Sequence, residues 1–214
     1  MLLTADATAD ITNAAFISNT ARKHGGALFG ANFLVKDTLF LQNVAGQSGG
    51  GAAIVLSELF RCNITRNQAA YGGALWTGDS GGSVRLHDSW ILQNSASGYA
   101  SALLVHWGGD LRLIDCTVEG GVDDKNSQLI NIKESSLVVT GSRFRDVAGS
   151  VLAHHWGTNR NDASSVIFEG TNFSNIRGDI ISGSLKAVAN QHVQISACSL
   201  RNVAGELVRW GGTT

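Results

Sequence analysis

The sequence predicts an all-β solenoid of about eight turns, in which the chain coils and stacks short strands in parallel. Three observations predict this fold. Similar residues return in columns every 24 to 29 residues. Apolar residues alternate with polar ones in each repeat, as in strands with one buried face. Proline is absent from all 214 residues, as expected where nearly every backbone N–H joins a hydrogen-bond ladder. A single domain is predicted over residues 1–214.

Each repeat is centred on one apolar residue, which we call the anchor. Further apolar or small residues stand five and seven positions before it, for example Leu59 and Ser57 before Ile64. This spacing of two indicates a short, half-buried strand. Columns of this kind at a period near 26 residues indicate that equivalent strands of successive turns lie over one another. The anchors, predicted to fill the interior, are Phe16, Phe40, Ile64, Ile91, Val118, Phe144, Phe173 and Leu200.

The column two residues before the anchor contains only small residues and includes all three cysteines of the chain. Its members are Ala14, Thr38, Cys62, Ser89, Cys116, Ser142, Thr171 and Cys198. A compact side chain that points inward explains this, because buried thiols behave as small hydrophobes. The cysteines stand two and three turns apart, and at about 4.8 Å per turn they exceed the ~7 Å between Cα atoms that a disulfide allows. Three free, buried thiols are therefore predicted.

Asparagine marks a corner after each anchor strand. Asn and Asp favour turns because their side chains bond nearby backbone. A variable excursion with glycines follows, then another strand, so each unit holds about three strands. The corner residues are Asn19, Asn43, Asn67 and Asn94, three after the anchor, and then Asp146, Asn175 and Asn202, one position earlier.

Two motifs carry a family resemblance. "FISN" is followed by "GGAL", "FLQN" by "GGGAAI" and "ITRN" by "GGAL", all within about the first 110 residues. These units resemble the right-handed, single-stranded parallel β-helix of pectin-lyase-like proteins, and more narrowly the repeats of the chlamydial polymorphic membrane proteins. The resemblance implies an extracellular or cell-surface location, although "MLLTADATAD" does not form a signal peptide.

Charge and hydropathy exclude several partners. A net charge of -1 and a pI near 6.6 give no electrostatic footprint for nucleic acid. No segment approaches the ~20 apolar residues that span a membrane. No cofactor or metal is expected, because His154 and His155 face opposite sides of a strand. The ends lack a capping helix, which favours a protein partner or end-to-end self-association.

Outward positions of the third to fifth turns hold a candidate enzymatic patch. Many β-helix proteins are polysaccharide lyases or hydrolases, and the two aspartates here stand on adjacent turns, as paired-carboxylate hydrolysis requires. The alternative is a surface ladder of opposite charges, Asp37 with Arg61 and Glu58 with Arg85. The pectinolytic motifs Asn-Thr-Asp and Gly-His-Gly are missing, which favours the ladder. The candidates are His87, Asp88, Asp115, Arg85 and Arg112.

A tryptophan row is the candidate glycan site. An exposed row of this kind would stack on sugar rings. However, Trp107 lies on the same side of its strand as Leu103 and Val105, which favours burial in the core instead. The candidate residues are Trp76, Trp107, Trp156, His106, His155 and Asp110.

The outward apolar residues Val138 and Ile167, with Ile114 near, predict a partner contact or a covering loop. The sequence therefore favours a noncatalytic β-helix surface module for adhesion or assembly, with glycans as candidate ligands. A polysaccharide lyase or glycoside hydrolase that acts on an acidic polysaccharide is the alternative.

Overall fold

The computed structural model describes residues 8–78, 82–120, 128–155, 164–184 and 191–211. These residues form an all-β parallel solenoid, which confirms the fold class predicted from the repeats. They contain no helix, so none of this part of the chain is a helix able to cross a membrane.

The strands build four parallel sheets, numbered here in the order in which the chain enters them. Sheet 1 contains Ala9–Thr12, Phe33–Lys36, Ser57–Phe60, Ser83–His87, Asp110–Ile114, Ser136–Thr140, Ser164–Glu169 and Gln191–Ser196. Sheet 2 contains Ala15–Ile17, Leu39–Leu41, Asn63–Thr65, Trp90–Leu92, Thr117–Glu119, Arg143–Val147, Asn172–Ile176 and Ser199–Val203. Sheet 3 contains Thr20–Ala21, Val44–Ala45, Gln68–Tyr71 and Ser95–Tyr99. Sheet 4 contains Leu28–Ala31, Ala52–Val55, Leu75–Trp76, Leu103–His106, Ile130–Lys133, Leu152–His155, Ile181–Ser184 and Val208–Gly211.

The number of turns and of strands per turn differs from the prediction in detail. The solenoid has about six turns, which differs slightly from the eight predicted. Within the described residues, sheet 3 is found only in the first four coils, which therefore have four strands instead of three. The early excursions supply enough chain for this extra strand, whereas the late ones shorten to bends such as Ala204–Gly205.

The anchor column is confirmed. Phe16, Phe40, Ile64 and Ile91 are register partners on successive strands of sheet 2. Phe40, Ile64 and Ile91 are completely buried, and each buried side chain of this size contributes about 1.5–3 kcal/mol to folding. The ring centroids of Phe16 and Phe40 are 5.2 Å apart. Leu200, in the last coil, is 48% exposed.

The column of small residues links the coils through hydrogen bonds. The hydroxyl of Ser89 donates to the carbonyl of His87 at 2.8 Å and accepts from the backbone N–H of Cys62 at 3.1 Å. Cys62 and Cys116 are free and buried, as predicted, and burial raises the pKa of each thiol to about 11. Cys198 is free but only half-buried, so the prediction of burial was wrong there, because its coil is the last one described.

The four early asparagines form a ladder of hydrogen bonds, in which Asn43, Asn67 and Asn94 are buried and Asn19, in the first coil, is exposed. The side-chain amide of Asn19 donates to Asn43 Oδ1 at 2.9 Å, that of Asn43 to Asn67 Oδ1 at 2.9 Å, and that of Asn67 to Asn94 Oδ1 at 3.0 Å. Each of these oxygens also accepts the backbone N–H of the asparagine one coil earlier. The ladder therefore satisfies polar groups that the corner buries.

The later corner residues do not continue this ladder. Asp146 and Asn175 adopt left-handed backbone with φ of 55° and 54°, and their side chains are exposed. Val147 and Ile176 take the inward position that the asparagines hold in early coils. The shift by one residue seen in the sequence therefore moves the polar side chain from an inward-facing position to an outward-facing one.

Candidate ligand-binding groove

The corner between sheets 1 and 2 controls which side chains reach the surface. The residue three before the anchor has left-handed backbone in every coil, with φ between 48° and 62°. Asn, Asp and Gly tolerate this conformation best. The corner carries Asp88 and Asp115 into solvent on adjacent coils, about 4.8 Å apart along the stack. The column consists of Asn13, Asp37, Arg61, Asp88, Asp115, Gly141, Gly170 and Ala197.

A surface groove runs beside these aspartates. Trp90, Thr117 and Arg143 form one wall, because they are register partners at the start of three successive strands of sheet 2. The corner residues two positions before them form the other wall. The groove is lined by Arg61, Asp88, Trp90, Asp115, Cys116, Thr117, Gly141 and Arg143.

Glycine at position 141 makes room for one of the carboxylates. A Cβ atom built on Gly141 would lie 2.2 Å from Oδ1 of Asp115, far inside van der Waals contact. Gly141 also has φ of 62°, which disfavours any residue with a side chain. The absence of a side chain at 141 therefore lets the Asp115 carboxylate lie across the next coil.

Trp90 is the most accessible aromatic platform of the groove. Its side chain is 48% exposed, and within the described ranges no aromatic ring or cation stacks on it. The candidate residues predicted from the sequence did not include Trp90 or Arg143, which line this groove. A signal was present, since each stands directly before an inward anchor and therefore faces outward in a strand.

The charges that line the groove are only partly compensated. Arg61 Nε donates to Asp37 Oδ1 at 2.7 Å, and Arg61 Nη2 to Asp37 Oδ2 at 2.8 Å. These hydrogen bonds hold the pKa of Asp37 below its usual range. Within the described residues, Asp88, Asp115 and Arg143 form no ion pair. Asp88 nevertheless adds to the effect of Asp37 in raising the pKa of the Arg61 guanidinium.

The other members of the predicted enzymatic patch lie outside this groove, on the outer face of sheet 1. His87 stacks on Phe60 with ring centroids 4.5 Å apart. Arg85 donates to Glu58 at 2.8 Å, and Arg112 is the strand partner of Arg85. The opposite-charge ladder is confirmed in both predicted pairs, Asp37 with Arg61 and Glu58 with Arg85. The structure therefore brings together the two aspartates but not the basic residues expected beside them.

The predicted tryptophan row is not a single column. Trp76 has Leu104 as its partner in the next coil. Trp107 follows that strand with φ of 59° and is 44% exposed, so the inward position that its parity favoured is wrong; the left-handed backbone turns it out. Trp156 and the side chain of His155 lie outside the described residues.

The aromatic residues around Trp107 pack mainly on one another. Lys133 Nζ lies 4.1 Å from the centre of a Trp107 ring, and His106 meets that tryptophan edge-on at 6.2 Å. Tyr71 and Tyr99 lie 4.6 Å apart, and Tyr99 is 6.0 Å from His106. These contacts occupy ring faces that a sugar would need. Trp76 is likewise covered by His24 at 4.7 Å, and Asp110 begins an exposed strand end of sheet 1.

The outward apolar pair expected from the sequence lies on sheet 1. Val138 and Ile167 are register partners on adjacent strands of sheet 1 and are half-buried. Ile114 lies in a neighbouring column, where its partner is Thr140.

No protein-family model matches the chain, and no curated protein matches it. Within the described residues, no three His, Cys, Asp or Glu side chains are grouped so that they could hold a metal ion.

Proposed function

We propose that the chain is a noncatalytic solenoid module that binds glycans in the groove beside Trp90 and displays this site at the cell surface. The observation that carries the proposal is the open indole of Trp90 next to Asp88, Asp115 and Arg143. The surface location rests on the resemblance of the repeats to those of pectin-lyase-like and chlamydial surface proteins.

The groove has the parts that sugar recognition needs. A pyranose has an apolar face, which packs on an aromatic ring, and a rim of hydroxyls. Hydroxyls of a sugar on Trp90 would donate to the carboxylates of Asp88 and Asp115 and accept from the guanidinium of Arg143. Because the groove crosses successive coils, it suits an extended chain better than a single small molecule.

The groove is also preorganised. The backbone N–H of Asp88 donates to the carbonyl of Ile114 at 3.0 Å, and that of Asp115 to Thr140 at 3.0 Å. Sites held on regular elements lose little conformational entropy when they bind. A rigid groove of this kind supports binding without a conformational change.

A glycan array followed by calorimetry tests the proposal. We expect Trp90→Ala to weaken binding of any array hit about tenfold or more. Trp107→Ala is the matched control, because it removes a tryptophan of similar exposure from another surface, and it should bind as the parent does. The proposal is wrong if no glycan binds, or if only the Trp107 variant loses binding.

Glycoside hydrolysis is a second candidate, favoured by the adjacency of Asp88 and Asp115. The backbones of equivalent positions on neighbouring coils lie about 4.8 Å apart, and paired-carboxylate hydrolysis needs two carboxylates that flank one glycosidic bond. Assays for reducing ends and for unsaturated products on acidic polysaccharides test this candidate. Turnover that disappears in Asp88→Asn and Asp115→Asn would replace the noncatalytic proposal.

Assembly through the last coil is the partner proposal that accompanies this function. Leu200 and Leu207 are 48% and 42% exposed there, and exposed strand edges with apolar side chains favour association. Light scattering after size exclusion should show oligomers that Leu200→Ser reduces. A concentrated sample that stays monomeric would exclude self-association.

A further inference from the structure

We infer that the groove beside Trp90 binds a neutral, extended polysaccharide, namely a β-1,4-linked polymer of glucose, mannose or xylose. This inference rests on the proposed function and names its ligand class. The polymer lies along the stack of coils, with one ring packed on the indole of Trp90 and the neighbouring rings over the adjacent coils.

The charged side chains that line the groove compensate one another. Two of them are basic and two are acidic, so their sum is zero. Arg61 is hydrogen-bonded to Asp37, and Asp88 acts on the same guanidinium. The carboxylate of Asp115 extends over the next coil, which also carries Arg143. A charged sugar would therefore meet a like charge near each opposite one, and it would lose hydration without an unopposed partner.

The strand positions on either side of Trp90 supply neutral hydrogen-bonding groups. Asn63 and Thr117 are its register partners in the coils before and after it. Both are half-buried, whereas Trp90 is 48% exposed. Asn63 Oδ1 accepts from Thr65 Oγ1, so the amide N–H groups are the donors that remain, and the hydroxyl of Thr117 can donate or accept. A ring packed on the indole thus has uncharged partners for its hydroxyls on both sides.

The repeat of the solenoid also matches that of an extended polysaccharide. Equivalent positions of neighbouring coils lie about 4.8 Å apart, and each ring of a β-1,4-linked polymer advances its chain by a similar length. The groove crosses four coils, from the one that carries Arg61 to the one that carries Arg143. A straight chain can therefore place successive rings at the levels of successive coils, whereas a strongly coiled polymer would leave the groove after one or two rings.

Calorimetry with soluble oligomers of equal length tests the inference. The neutral probes are β-1,4-linked oligomers of glucose, of mannose and of xylose, and the charged probes are oligomers of galacturonic acid and of glucosamine. We expect at least one neutral oligomer to bind about tenfold more tightly than both charged ones. Its affinity should change less than about twofold with salt, because no ion pair with the ligand is screened. In a length series, the affinity should stop rising beyond four rings, the number of coils that the groove crosses.

Variants of the groove connect this preference to its residues. Trp90→Ala should weaken binding of the neutral oligomer about tenfold or more. Thr117→Val keeps a β-branched residue in the strand but removes the hydroxyl, and should weaken binding about two- to tenfold. Asp115→Asn leaves an excess of positive charge and should strengthen binding of the galacturonic acid oligomer. As the matched control, Asp146→Asn removes an exposed carboxylate from another left-handed corner and should leave every affinity unchanged.

The outcomes separate this ligand class from the proposed function. Tighter binding of either charged oligomer, lost in Trp90→Ala, would overturn the neutral ligand and leave the glycan proposal standing. Binding of a neutral oligomer that neither Trp90→Ala nor Thr117→Val changes would overturn both, because the sugar then lies elsewhere. Absence of binding by all five oligomers would overturn the inference, and the glycan array then decides the proposed function.

Discussion

Removal of Asn67 should be one of the most destabilising changes in the early coils. Its side chain makes four hydrogen bonds of 2.9–3.0 Å, to Asn43, Phe40 and Asn94. At about 0.5–1.5 kcal/mol each, Asn67→Ala should lower the free energy of unfolding by about 2–6 kcal/mol. The substitution also takes Oδ1 away from the buried N–H of Asn43, which favours the upper half of this range. A loss of this size is a large part of the ~5–15 kcal/mol that stabilises a typical domain.

Chemical denaturation followed by circular dichroism measures this effect as a shift in midpoint at constant slope. Gln68→Ala is the matched control, because it removes an exposed amide one residue away and should cost less than about 0.5 kcal/mol. Equal losses in the two variants would refute the reasoning. They would mean that the amide ladder contributes no more than a solvated surface side chain.

Two further predictions concern titratable groups. In the native protein an alkylating reagent should modify Cys198 faster than Cys62 and Cys116, whose thiols are buried and have a pKa of about 11; equal rates by mass spectrometry would contradict this. The pKa of Asp37 measured by NMR should lie below its usual range and rise in Arg61→Ala. Since folding lowers this pKa, its stabilising effect is present above about pH 4 and disappears as the pH falls through the folded-state value. An unchanged pKa in the variant would contradict the ion pair.

The interior of the solenoid could be predicted because stacking in register repeats the same environment. An inward residue such as Ile64 packs between the equivalent residues of the coils above and below it. Side chains of similar size and polarity are therefore needed at that position in every coil. Phe40 and Ile91, its partners, show this directly. The length of each sequence repeat therefore gives the strand register between neighbouring coils.

The surface could not be predicted to the same degree, because the corners change which way a side chain points. Trp107 has inward parity by counting from Val105, yet its left-handed backbone reverses this. The extra strand of sheet 3 starts four residues after each early anchor, but its first residues share no residue type, so the sequence shows no recognisable column there. They are Thr20, Val44, Gln68 and Ser95. Trp90, in contrast, lies inside a regular strand beside Ile91, and the alternation rule places it correctly outside.

The left-handed corner between sheets 1 and 2 explains why aspartates occur beside the groove. Its backbone prefers Asp, Asn and Gly, so aspartates are placed on the surface there without a functional reason. Opposite charges on neighbouring coils, such as those of Asp37 and Arg61, are the arrangement that favours stability. Asp88 follows Arg61 in this column and continues the alternation of charge, whereas Asp115 follows a like charge. Gly141 makes room for the Asp115 carboxylate. The backbone conformation therefore accounts for the aspartates at this corner, and the proposal of glycan binding rests on the exposed Trp90 beside them.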